Sequence, residues 1–113
     1  MEEIEFKNGC ERLEHIVGAD INLIIELLDI LPFPYGKEII ELRFGIKDGN
    51  EHTLLEVANI LQEREMKKSV IDRYISDTKH ILMKPLFGQW TMEAVRKSEA
   101  AALHILKDIV EKC

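Results

Sequence analysis

The sequence has few residues of the kinds that build catalytic or metal centres. Its two cysteines, Cys10 and Cys113, stand at opposite ends of the 113-residue chain, without the spacing of a metal site or a disulfide framework. The four histidines are scattered, and no glycine-rich phosphate loop is present. We therefore expect a protein that is not an enzyme and that needs no metal or other cofactor.

Long apolar runs are also missing. None approaches the roughly 20 residues that cross a bilayer, and the acidic start at Glu2 and Glu3 lacks the basic region of a secretory signal peptide. Two cysteines without a disulfide framework fit a reducing compartment. The expected location is the cytoplasm, with neither membrane insertion nor export.

The net charge of −6 argues at first against nucleic acid as a partner, because a polyanion repels an acidic protein. The charge is unevenly distributed, however: residues 1–61 hold 13 acids and 5 bases, whereas residues 62–113 hold 8 acids and 10 bases. The basic residues of the second half begin with Arg64, Lys67, Lys68, Arg73, Lys79 and Lys84. This stretch is either a face that binds nucleic acid or an ordinary solvated helix face.

Apolar residues recur at helical spacing almost everywhere, which predicts an all-α fold in one domain, residues 1–113. The predicted helices cover residues 10–16, 21–31, 37–44, 53–61 and 71–82, and a long amphipathic helix begins at Thr91. Thr53 and Glu56 have the spacing of a capping box, which marks the start of the fourth helix. Ser69 and Asp72 are candidate caps of the fifth helix, which we expect to end at Pro85.

The fourth and fifth predicted helices, joined by a short connection, have the pattern of a helix-turn-helix, in which the later helix enters the DNA major groove. The long C-terminal helix carries an apolar stripe that must pack against something. Its own domain, a second copy of the chain and another partner are all open, so a homodimer through this helix is one expectation.

A phrase in the middle of the chain adds a family resemblance. Leu-Arg-Phe-Gly at residues 42–45, an acidic-glycine turn at residues 48–49 and Thr-Leu-Leu-Glu-Val at residues 53–57 resemble the fourth region of primary-type bacterial sigma factors. The similarity covers roughly residues 21–61. It implies a compact domain with a helix-turn-helix over residues 21–85, to which residues 90–113 add a further helix.

The resemblance implies a transcription regulator that binds double-stranded promoter DNA and the flap of the RNA polymerase β subunit. The DNA-binding candidates under this hypothesis are Arg43, Thr53, Arg64, Lys67, Lys68, Arg73 and Lys79. The candidates for an apolar cleft that takes the flap are Ile24, Leu28 and Leu31. A structural alternative exists for each group: Arg43 pairs with a carboxylate, Thr53 only caps its helix, and the three apolar residues belong to the core.

The match fails after Leu61, where the sequence lacks the family's glycine turn and runs a few residues longer before its apolar face resumes. The residues that read bases therefore cannot be assigned. Either the target sequence differs, or the domain is an interaction module that binds RNA polymerase or a sigma factor without sequence-specific DNA contact. The chain has no counterpart of the regions that melt promoter DNA, so we expect a stand-alone regulator or one part of a split factor.

Overall fold

The computed structural model describes residues 5–32, 35–76 and 90–112, with the side chains of residues 68–76 left out. The described residues form helices and connecting turns, without a strand, so the all-α prediction is confirmed. The helices are α1 Gly9–Val17, α2 Ile21–Leu28, α3 Gly36–Phe44, α4 Leu54–Ser76 and α5 Met92–Lys112. Within these residues, no helix is both long enough and apolar enough to span a membrane.

Local signals set the ends of α2. The Asp20 side chain caps its start by accepting a hydrogen bond from the backbone N–H of Asn22 at 2.9 Å. The helix ends at Leu28, three residues before the predicted end at Leu31. A residue that precedes proline is biased away from helical backbone, and Pro32 imposes this on Leu31. The chain leaves the helix through turns, with the N–H groups of residues 30 and 31 bonded three residues back.

The connection between α3 and α4 follows the sequence closely. Gly45 ends α3 in the left-handed conformation, with a φ of 63°. Thr53 and Glu56 form the predicted capping box: the Thr53 N–H donates to Glu56 Oε1 at 2.9 Å, and the Glu56 N–H donates to Thr53 Oγ1 at 3.1 Å. The predicted start of this helix is therefore confirmed.

The predicted break after Leu61 is wrong. Helix α4 continues without a turn from Leu54 to Ser76, so the two helices predicted at residues 53–61 and 71–82 are one helix as far as residue 76. Residues 62–68 are glutamine, glutamate, arginine, methionine and lysine, all of which favour helix, and no glycine or proline interrupts them. Ser69 and Asp72 therefore lie inside a helix and do not begin one. The end predicted at Pro85 lies outside the described residues.

Helix α5 packs across the whole domain. Ala102 and Leu106 join one apolar cluster with residues of α1, α2 and α3, and Val95 joins a second cluster with Ile39 of α3 and with residues of α4. The backbone N–H of Trp90 donates to Gln62 Oε1 at 2.7 Å, which ties the chain before α5 to α4. The apolar stripe of α5 is thus buried against its own domain. Leu103, Ile109 and Val110 of the stripe are only partly buried, and a homodimer through this helix stays a prediction.

Candidate interaction surfaces

Arg43, the first DNA-binding candidate, lies in the last turn of α3 and is bound inside the domain. Its Nε donates to Glu99 Oε2 of α5 at 2.9 Å, and its Nη1 donates to the backbone carbonyl of His52 at 2.8 Å. The Arg43 side chain is 23% exposed and the Glu99 side chain is 12% exposed. A carboxylate therefore neutralises this guanidinium, as in the structural alternative for Arg43, and the contact ties α3 to α5.

Thr53 is likewise occupied by the fold. Its hydroxyl accepts the Glu56 N–H, so that hydroxyl and that amide satisfy each other. The preceding residue is held as well, because the backbone N–H of His52 donates to the Leu42 carbonyl at 2.9 Å and its Nδ1 lies 3.1 Å from the same oxygen. Hydrogen bonds within the chain therefore fix the Thr53 hydroxyl and the His52 backbone at the start of α4.

Of the remaining DNA-binding candidates, the structure describes the side chains of two, Arg64 and Lys67. Arg64 forms an ion pair with Glu38 of α3, whereas Lys67 pairs with Glu63 at 3.2 Å in an exposed contact four residues apart on α4. An exposed pair of that kind contributes little free energy and exchanges readily, so Lys67 can still meet another anion. The structure does not describe the side chains of Lys68 and Arg73, which are also on α4. It does not describe Lys79 at all.

The apolar cleft predicted from the family needs correction. Ile24 and Leu28 are fully buried in the core, and Leu31 packs against the same cluster, so the first two cannot contact a partner in this fold. The apolar side chains that α2 and its exit turn present to solvent are Leu23, 37% exposed, and Ile30, 59% exposed, with Ile25 on the other flank of the helix. The functional candidates of this helix are therefore its outward neighbours.

The sequence contains a signal that could have found these residues. Among residues 21–31 only Asn22, Glu26 and Asp29 are polar, so apolar side chains surround most of the helix. A helix on the surface of a domain needs only one apolar stripe to join the core. Leu23 and the half-buried Leu27 are four residues apart, which places them on one side of α2, and Ile30 follows in the turn after the helix ends at Leu28. We call these three residues the α2 stripe.

A cleft lies between α3, the turn after it and α4. Its volume is about 480 Å³, and its lining residues are Lys37, Glu38, Glu41, Leu42, Lys47, Asp48 and Arg64. Lys37 at its rim donates to Asp29 at 2.5 Å, and this hydrogen bond raises the pKa of the Lys37 ammonium. The cleft is thus a polar concavity lined by side chains of both charge signs, and it is separate from the α2 stripe.

Tyr35, directly before the first residue of α3, has a positive φ of 65°, a backbone conformation rare for a residue with a side chain. Its ring and the Trp90 ring are nearly perpendicular, in an edge-to-face contact with centroids 5.6 Å apart. Burial raises the pKa of the Tyr35 phenol, and a hydrogen bond with Glu65 raises it further. Tyr35 thereby joins the start of α3 to α4 and to the segment before α5.

In the described ranges, no three histidine, cysteine, aspartate or glutamate side chains are grouped in a way that could hold a metal ion. Comparison of the chain with models of known protein families, with curated proteins and with solved structures found no match. The resemblance to sigma factors accordingly stays a prediction from the phrase at residues 42–57.

Proposed function

We propose that this chain is a protein-interaction module of the transcription machinery that binds RNA polymerase without reading DNA sequence. The observation that carries the proposal is the continuity of α4 from Leu54 to Ser76. A helix-turn-helix reads bases with a separate helix that projects into the major groove beyond a turn. A continuous helix in that place removes the geometry on which base reading depends.

The charges of the described residues support the same choice. DNA binding gains most of its free energy when lysine and arginine side chains neutralise phosphates and release counterions. Arg43 and Arg64 are each bound to a glutamate of another helix, Glu99 and Glu38 respectively. Recruiting them to DNA would leave these carboxylates unpaired, which opposes the gain.

The surface that we assign to the polymerase is the α2 stripe, and its occupant is the β-subunit flap named by the sigma-factor resemblance. Leu23 and Ile30 are large apolar side chains that are 37% and 59% exposed. Covering such side chains contributes about 1 to 3 kcal/mol each. Acidic residues line the same helix at Asp20 and Glu26, so we expect basic residues around the apolar contact on the flap.

The test is a titration of the full chain with the purified β-flap fragment of bacterial RNA polymerase, in which isothermal calorimetry measures the binding affinity. Leu23→Ser and Ile30→Ser should each weaken binding about tenfold, because each removes apolar area from the contact. Ile25→Ser is the control matched to Leu23→Ser, since Ile25 lies on the same helix and is 40% exposed against 37% for Leu23, but on the other flank. Equal losses in all three variants, or no binding by the unaltered chain, would contradict the assignment.

A second measurement separates this function from promoter reading. Duplexes selected from a random pool, with and without core polymerase, should yield no consensus sequence. A consensus would favour the promoter-reading function instead. So would a steep salt dependence of duplex binding whose slope falls by about one unit in Lys67→Ala.

A further inference from the structure

We propose that the surface for the RNA polymerase flap continues from the α2 stripe onto α5, where Leu103 and Val110 supply its second part. We call these two residues the α5 flank. Their assignment rests on the proposed function, because it adds contact residues for the same partner. It also gives the half-buried side chains of α5 an occupant.

The small size of the α2 stripe is the reason to expect a larger surface. A stable protein–protein interface buries roughly 800 Å² on each partner, from about 20 to 30 residues. The stripe has three residues, of which Leu27 is half-buried, and α2 itself is eight residues long. A partner that binds the stripe stably must therefore also cover the elements beside α2. Apolar side chains on those elements form the most favourable extension, because the centre of an interface is more apolar than its rim.

Helix α5 contacts α2 and carries such side chains. Leu27 and Leu31 of α2 and its exit turn pack against the first apolar cluster without being fully buried, and so do Leu103 and Val110 of α5. Leu103 and Val110 are seven residues apart, which is about two helical turns, so they lie on one side of α5. The covered parts of the α2 stripe and of the α5 flank thus share one core, and their uncovered parts are available to one partner.

The opposite side of α5 provides an internal comparison. Successive residues of a helix are turned by roughly 100°, so Leu103 and Ile105 lie on opposite sides of the buried line through Ala102 and Leu106. Ile105 is half-buried like Leu103, but it belongs to neither apolar cluster of the described residues. The shared core therefore links α2 to the side of α5 that holds Leu103, and the two sides should respond differently to the flap.

The experiment is a calorimetric titration of the full chain and its α5 variants with the β-flap fragment. Leu103→Ala and Val110→Ser should each weaken binding about tenfold, because each removes apolar area from the contact. Ile105→Ala, the matched change on the opposite side of α5, should bind as the unaltered chain does. The urea midpoint of each variant separates a lost contact from a lost fold. Val110 lies in the last turn of α5, so Val110→Ser should fold even if Leu103→Ala does not.

The results distinguish this surface from the function on which it rests. If Leu23→Ser weakens binding while folded Leu103→Ala and Val110→Ser do not, the extension onto α5 is overturned and the proposed function stands. An equal loss in Ile105→Ala and Leu103→Ala also overturns the extension, because the effect would not depend on the side of the helix. Absence of binding by the unaltered chain overturns both. Sedimentation equilibrium tests the other occupant: a dimer of the unaltered chain that Val110→Ser dissociates would assign the α5 flank to a second copy and overturn the extension.

Discussion

Replacing Arg43 by alanine tests whether this residue serves the fold or DNA. The substitution removes the hydrogen bond to Glu99 and the hydrogen bond to the His52 carbonyl. It leaves the Glu99 carboxylate, whose side chain is only 12% exposed in the unaltered chain, without this partner. A residue that holds phosphate would instead be dispensable for folding. The two roles therefore predict opposite results for stability and for duplex affinity.

The expected cost follows from these contacts. A hydrogen bond to a charged group contributes about 1.5 to 3 kcal/mol, and a carboxylate left without its partner adds a penalty. Both side chains retain some contact with water, which reduces the effect of an ion pair. We therefore expect Arg43→Ala to lower the free energy of unfolding by about 2 kcal/mol.

Urea unfolding followed by helical circular dichroism measures this change. If the free energy of unfolding falls by about 2 kcal/mol per molar urea, the urea concentration at the unfolding midpoint should fall by about 1 M. Arg96→Ala is the matched control, because Arg96 pairs with Glu93 on the exposed face of α5 and its loss should leave the midpoint nearly unchanged. An equal midpoint for the two variants, or a loss of duplex affinity by Arg43→Ala without a loss of stability, would refute the reasoning.

Three further substitutions, and Gly18→Ala as the control for one of them, probe the fold by the same unfolding assay. Phe44→Ala should cost about 3 to 5 kcal/mol, because Phe44 is buried in the first cluster, and an unchanged midpoint would contradict its place there. Thr53→Ala should cost about 1 kcal/mol through the lost cap, and no change would show the cap to be dispensable. Gly9→Ala should cost about 1 to 3 kcal/mol, since its Cβ would lie 2.3 Å from the Phe44 carbonyl oxygen, whereas Gly18→Ala, with nothing within 4 Å, reports backbone strain alone. An equal loss of unfolding free energy in the two glycine variants would argue against a close approach between Gly9 and the Phe44 carbonyl.

The capping box shows which parts of the fold the sequence predicts well. Thr53 and Glu56 contact each other's backbone three residues apart, so their geometry follows from local chemistry and needs no tertiary contact. The helix break after Leu61 was predicted from a gap in the apolar pattern, and it was wrong. Helix continuity depends on backbone propensity as well as on burial, and the polar residues in this gap all favour helix.

The contacts of the candidate site depend on distant parts of the chain. Sequence reasoning gave Arg43 two alternatives, a phosphate or a carboxylate. It could not name the carboxylate, because Glu99 lies 56 residues away and is placed by the packing of α5. The exposure of the α2 stripe depends equally on packing, since the same apolar helix could have been covered on both sides. Local sequence predicts elements and caps, whereas the pairing of side chains between helices follows only from the assembled core.

The continuity of α4 is the feature that separates the two functions, and it can be measured directly. Backbone chemical shifts should be helical at every residue from 55 to 70, without an interruption near residues 62–66. Residues 50–52, which precede the helix, serve as the internal control because they should give non-helical shifts. Non-helical shifts confined to residues 62–66 would mean that a turn separates two helices there. A second helix could then project into a groove, which is the geometry that base reading requires.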